Sequence, residues 1–428
     1  MLSNSDIDRI IALIKREVVP AIGCTEPIAV ALCVAKATEA LGETPEKIEA
    51  LLSANILKNA MGVGIPGTGM VGLPIAIALG ALVGKSEYQL EVLRDSDSQW
   101  VEKGKQYIAE NRIHIGLKDN ITEKLYIEVS VKSANHTATA IISGAHTHFI
   151  YVEKDGEVIL DEKTLSSSDE VGEEKELTLR EVYEFATTTP LEQIEFINDA
   201  RRLNENASQE ALKGNYGHAL GKTLSRPLGK GIMGDSIFSH ILSATSNACD
   251  ARMAGAMIPV MSNSGSGNQG IAATMPVVVF AEENHNTEEE LTRALVLSHL
   301  TAIYIKQSLG RLSALCGCVV ASTGSSCGIT YLMGGSYEQV AYSVKNMIAN
   351  LAGMVCDGAK PSCALKVSSG VSTAVLSAML AIQNHHVTSV EGLIEDDVDR
   401  CIHNLTRIGA KGMDETDKLV LDIMTHKQ

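Results

Sequence analysis

Basic residues are in short supply in this chain: 36 Lys and Arg stand against 52 Asp and Glu, a formal charge of −16. That deficit excludes the broad basic surface that nucleic acids require, and it disfavours adhesion to an anionic membrane. Aromatic residues are also scarce, at 4% with a single Trp, so a core has to be built from Ala, Val, Ile, Leu and Met. No CxxC pair recurs, which excludes a zinc ribbon. Neither a P-loop nor Ser-His-Asp triad spacing is present, and no Lys sits in a pyridoxal-phosphate context. The opening MLSNSDIDRIIALIKREVVP carries acidic residues and no signal-peptide layout, so a cytoplasmic location is expected.

Glycine, by contrast, is abundant and clustered, with 36 residues in 428. The stretch from Met61 to Gly84 has no charge for 24 residues and could span a bilayer by length. Its seven Gly and two Pro, packed mostly into the first half, favour a Gly-rich loop followed by a buried helix. A content of 45% apolar and 21% charged residues is that of a globular protein, and the length suggests two domains.

Periodicity divides the chain. Helices are expected over Ile7 to Val18, after Ser5-Asp6, and over Pro27 to Ala40, Leu73 to Val83 and Thr178 to Ala186. Strands are expected over Ile48 to Ile56, Leu125 to Val131, Thr137 to Ser143 and Phe149 to Glu153, with a turn at Asp155-Gly156 before Val158-Leu160. Ser166 to Glu176 is Ser- and acid-rich and reads as an exposed link. Beyond it, helical spacing dominates, in Leu291 to Leu312, Tyr337 to Val355, Val371 to Ile382 and Asp396 to Arg407. The expected fold class is α+β, with a mixed α/β domain over 1–190 and an all-helical domain over 191–428. A homodimer is compatible with the apolar balance.

Four segments carry candidate chemistry. Gly23-Cys24-Thr25-Glu26-Pro27 precedes a helix, with Thr25 as the expected N-cap. Cys24 would then sit at the positive end of the helix dipole, where thiolate is favoured; an ordinary half-buried Cys is the equal alternative. Lys58 to Met70 holds a formal GxGxxG at Gly62, Gly64 and Gly67, yet Pro66 interrupts it and no βαβ unit follows, so a nicotinamide site fits poorly. A loop that holds a small carboxylate through its amides and Thr68 fits better. Met261 to Gly270, MSNSGSGNQG, offers hydroxyls, amides and exposed backbone between apolar flanks, which suits an amino acid's carboxylate and amine. His146 and His148 would share a face on a strand, but a substrate-contacting or solvent-facing pair fits them better than a metal site.

Nine cysteines in a cytosolic setting argue against structural disulfides, and five of them fall between 316 and 363. Their spacing matches no standard ferredoxin run, and Cys33, Cys249 and Cys401 read as small core residues.

In this order, GCTEPIA, KNAMGVGIPGTGMVGLP, MSNSGSGNQG, LSALC and MVCDGAKPSCALKV resemble the L-cysteine desulfidase family over essentially the whole chain. That family includes sequences described as serine dehydratase alpha-like. The helical half is also similar, more distantly, to the catalytic part of bacterial iron–sulfur L-serine dehydratases. The resemblance implies an oxygen-sensitive 4Fe–4S cluster with one open iron. It implies Cys316, Cys356 and Cys363 as cluster ligands, with Cys318 and Cys327 as alternatives to Cys316. It implies Cys24 as the catalytic base. The implied activity is cleavage of L-cysteine to pyruvate, ammonia and hydrogen sulfide, and the amino-acid substrate would be held by Thr68, Asn263, Ser264, Ser266 and Asn268. L-serine dehydration and a non-catalytic iron–sulfur sensor are the competing expectations.

Overall fold

The computed structural model describes residues 2–121, 123–162, 176–310 and 313–426. Of the expected link Ser166 to Glu176, all but Glu176 falls outside these residues. The fold is α+β. One six-stranded sheet and a helical array share the chain.

The sheet runs in the order β5 (Ile113–Leu117), β2 (Lys47–Leu52), β6 (Tyr126–Lys132), β7 (Thr137–Ser143), β8 (Phe149–Lys154), β9 (Glu157–Asp161). The β2–β5 pair is parallel and every other pair antiparallel. Alternation orients it: Ile48, Ala50 and Leu52 are buried, as are Ile127, Val129 and Val131, while their neighbours face outward. The helix Thr25–Leu41 lies on the buried face, and the helix Leu73–Leu82 packs behind it. The expected strand over Ile48 to Ile56 ends early. At Ser53 the hydroxyl bonds the Lys124 carbonyl at 2.9 Å, and the chain turns into a short helix, Ala54–Ala60.

The uncharged stretch from Met61 forms a hairpin of β3 (Gly64–Ile65) and β4 (Met70–Val71), then the buried helix. Among the described residues, no βαβ unit surrounds its glycines. Their role is close approach: a Cβ on Gly64 would stand 2.4 Å from the Ala254 carbonyl carbon.

The helical array centres on Gly317–Leu332, packed by the helices Gly267–Glu283, Glu288–Leu309, Tyr337–Leu351 and Cys363–Ile382. Its sequence, GCVVASTGSSCGITYL, has poor helix propensity. Small residues instead allow neighbours to approach, since a Cβ on Gly324 would lie 2.2 Å from the Ser298 carbonyl oxygen. Thr323 and Thr330 each donate their buried hydroxyl to a carbonyl one turn back at 2.8 Å. The helix Cys363–Ile382 is long and apolar enough to cross a membrane by length and composition, but half of it is buried in this array. The first and last helices cross between the two cores. Asn4–Glu17 packs on the helical array, whereas Asp414–Thr425 packs on Ala54–Ala60 and buries Leu421 with the sheet core.

Candidate active site

A two-stranded pairing brings the distant loops together. β1 (Pro20–Ile22) runs antiparallel to β10 (Pro259–Met261), so the chain leaving β10 runs beside the residues that lead into β1. The Ser262 and Ser264 amides then donate to the Val19 and Glu17 carbonyls, each at 2.9 Å. Buried Arg252 ties the loops further: its guanidinium donates to the Gly23 carbonyl at 2.9 Å and to Asn268 Oδ1 at 3.0 Å.

Cys24 itself, not Thr25, is the N-cap of the helix Thr25–Leu41, and it makes no side-chain cap bond. Its thiol donates to the Glu26 carboxylate at 2.9 Å. Burial pushes this thiol well above its ordinary pKa, and the adjacent Glu26 charge pushes the same way; the Arg252 charge opposes them. The thiol, rather than the expected thiolate, is therefore the favoured form at this helix terminus.

The other cysteines meet through a second pairing. A bridge between Leu315 and Val355 aligns two loops, with the Cys316 amide donating to the Met354 carbonyl at 2.9 Å and the Cys356 amide to the Ala314 carbonyl at 2.6 Å. Cys363 is the first residue of its helix. Cys24, Cys316, Cys318, Cys356 and Cys363 all line one cavity of about 340 Å³. Ser264, Ser266 and Asn268 line it too, with Glu26 and Gln269. Burial and neighbouring thiols raise the pKa of Cys316, Cys356 and Cys363. Cys316 is held up first by Cys318, Cys356 first by Cys316, and Cys363 chiefly by burial. Among the described residues, no three His, Cys, Asp or Glu side chains close on a point suited to a single metal ion. Soft donors spread around a cavity suit a larger, polynuclear body.

Two expected substrate contacts lie elsewhere. Thr68 closes its own turn: the hydroxyl donates to the Ile65 carbonyl at 2.8 Å and accepts from the Met70 amide at 3.0 Å. Asn263 is fully buried, and its amide donates to the His299 carbonyl at 3.0 Å and meets His299 Nδ1 at 3.1 Å. Burial holds His299 down to about 3, so it is a neutral structural residue. Cys327 is also away from the cavity, fully buried beside Ser343. His146 and His148 sit in the turn between β7 and β8, not on a strand; His146 lines the cavity, while His148 bonds the Ser143 carbonyl and pairs with Glu162.

Sequence reasoning passed over Arg252 and Lys306. Their signal was present: Arg252 is the one Lys or Arg on a mostly buried helix, and Lys306 closes the long buried run that begins at Ala294.

Residues 87–422 match the family described as the serine dehydratase alpha chain. Over 426 residues the chain is 70% identical to a UPF0597 protein of Bacteroides fragilis, with 100% of both chains covered. It is 54% identical to a UPF0597 protein of Porphyromonas gingivalis, again over 100% of each, and 48% identical to one of Oleidesulfovibrio alaskensis over 98% of each.

Proposed function

The chain belongs to the serine dehydratase alpha chain family, and on that premise we propose that it is an iron–sulfur lyase that cleaves L-cysteine to pyruvate, ammonia and hydrogen sulfide. The observation that carries the reading is the sharing of one cavity by Cys24 and the three thiols of Cys316, Cys356 and Cys363. Those three would hold a 4Fe–4S cluster, since thiolates are its usual ligands. Cys318 lines the same cavity and is the alternative to Cys316. When bound, the cluster supplies an iron with an open position that acts as a Lewis acid.

The protein's own residues do the rest. Cys24 takes the substrate's Cα proton after its own thiol proton has passed to Glu26. Glu26 sits within hydrogen-bond reach of that sulfur and is placed to relay the proton. Ser264, Ser266 and Asn268 offer polar groups to the substrate. Arg252 fixes the two loops that carry them. Loss of the proton and of the β-sulfur leaves aminoacrylate, which tautomerises to an imine, and water converts this to pyruvate and ammonia.

The family description favours a second reading, L-serine dehydration with hydroxide as leaving group. The test is pyruvate and sulfide release by anaerobically reconstituted protein, with cysteine and serine compared in parallel. Equimolar pyruvate and sulfide from cysteine, lost in air, supports desulfidation. Pyruvate from serine alone supports dehydration, and product from neither overturns both readings. Cys24→Ala is expected to keep the brown cluster and lose turnover; a near-normal rate would remove Cys24 as the base.

A further inference from the structure

Arg252, Lys306 and Lys366 are the buried or half-buried Lys and Arg side chains that line the cysteine cavity. Two of them are committed. Arg252 donates to Gly23 and Asn268, and its Nε is pressed beneath Gly267, where a Cβ would stand 2.2 Å away. Lys366 donates to the Val355 carbonyl at 2.7 Å and pairs with Asp357.

Lys306 is different. It lies in the last turn of the helix Glu288–Leu309 and is 8% exposed. Its ammonium has no hydrogen bond or ion pair among the described residues. A neighbouring cavity shares Lys306 and Ser264 with the cysteine cavity, so this side chain stands in the wall between the two. A buried ammonium without a partner is costly, and a protein tolerates one where an anion arrives to meet it. Desolvation accordingly holds its pKa down to about 8.

We propose that Lys306 receives the carboxylate of the amino-acid substrate. The assignment rests on the lyase reading above, whose substrates carry one fixed anion. It leaves the substrate's amine to the neutral and acidic side of the cavity, because a cation would repel it.

The test is anaerobic calorimetric titration of the cluster-loaded protein with three probes. Pyruvate and 3-mercaptopropionate carry the carboxylate without the amine; cysteamine carries the thiol and amine without the carboxylate. Lys306→Met should bind both carboxylates about 10- to 100-fold more weakly, the range of one charge-assisted hydrogen bond. Cysteamine should change by less than about twofold. Lys306→Arg should retain most of the carboxylate affinity. Iron content and thermal midpoint serve as controls for folding, and Lys306→Gln replaces Lys306→Met if the latter fails to fold. Equal weakening of all three probes, or no weakening, overturns the assignment of Lys306 while leaving the lyase reading in place. A wild-type protein that binds neither carboxylate overturns both.

Discussion

Asp417→Asn is the most informative stability experiment. Lys58 is 1% exposed, and its ammonium pairs with Asp417, which is 18% exposed. Asp417 lies on the helix Asp414–Thr425, of which only Leu421 is otherwise buried, so this pair is the main polar attachment of that helix. Lys58 also lies under the cysteine loop: a Cβ on Gly358 would stand 2.2 Å from the Lys58 carbonyl oxygen. Asn preserves the shape of Asp and removes its charge, leaving the ammonium buried and uncompensated. Breaking a buried pair from one side costs about 3–5 kcal/mol, and the partial exposure of Asp417 argues for the lower end. The reverse change should cost less, because water can reach Asp417 when Lys58→Met removes its partner. Lys58→Met with Asp417→Asn should recover most of the loss, because no charge is then stranded. Equilibrium urea unfolding of the parent, both single variants and the double variant completes the cycle. An Asp417→Asn variant within about 0.5 kcal/mol of the parent would refute the reasoning, as would additive effects in the double variant.

Glu26→Gln removes a negative charge that helps hold the Cys24 thiol high, so that pKa should fall. A rate that needs the free-enzyme thiolate rises with pH through that pKa, so the rising limb of kcat/KM should move to lower pH; an unmoved limb would uncouple Glu26 from the base. Gly270→Ala would place a Cβ 1.9 Å from the Met261 carbonyl oxygen, whereas Gly265→Ala meets open space at a φ of +79°. The first should cost about 1–3 kcal/mol or more by forcing backbone apart, the second about 1–2 kcal/mol of left-handed strain, as read by thermal unfolding. Gly265→Ala as the more damaging change would contradict the packing role given to Gly270.

Elements with one clear period were legible. Thr137–Ser143 shows alternation, and Leu179–Thr188 follows a capping box of Thr178 with Glu181, so each could be read within a residue or two. Gly317–Leu332 was invisible as a helix because its stability comes from close packing of small residues, not from propensity or an apolar stripe. The helix expected from Val371 begins at Cys363, since Lys366 and the Ser residues there mask the apolar spacing. In MSNSGSGNQG the polar composition was plain, but which side chains were spent on structure was not. Asn263 turns inward to His299 while Ser264 reaches the cavity, and only the backbone path separates them.

Local order in the chain therefore determined the fold class, most strands, and the motifs that hold the five cavity cysteines. Tertiary structure alone decided their conjunction. Cys24 and the cysteine loops are some three hundred residues apart. They share a cavity because β1 pairs with β10 and the Leu315–Val355 bridge aligns Cys316 with Cys356. Burial and neighbouring groups decided the state of the groups there. Desolvation raises the pKa of the Cys24 thiol and lowers that of the Lys306 ammonium; neither effect is a property of local sequence.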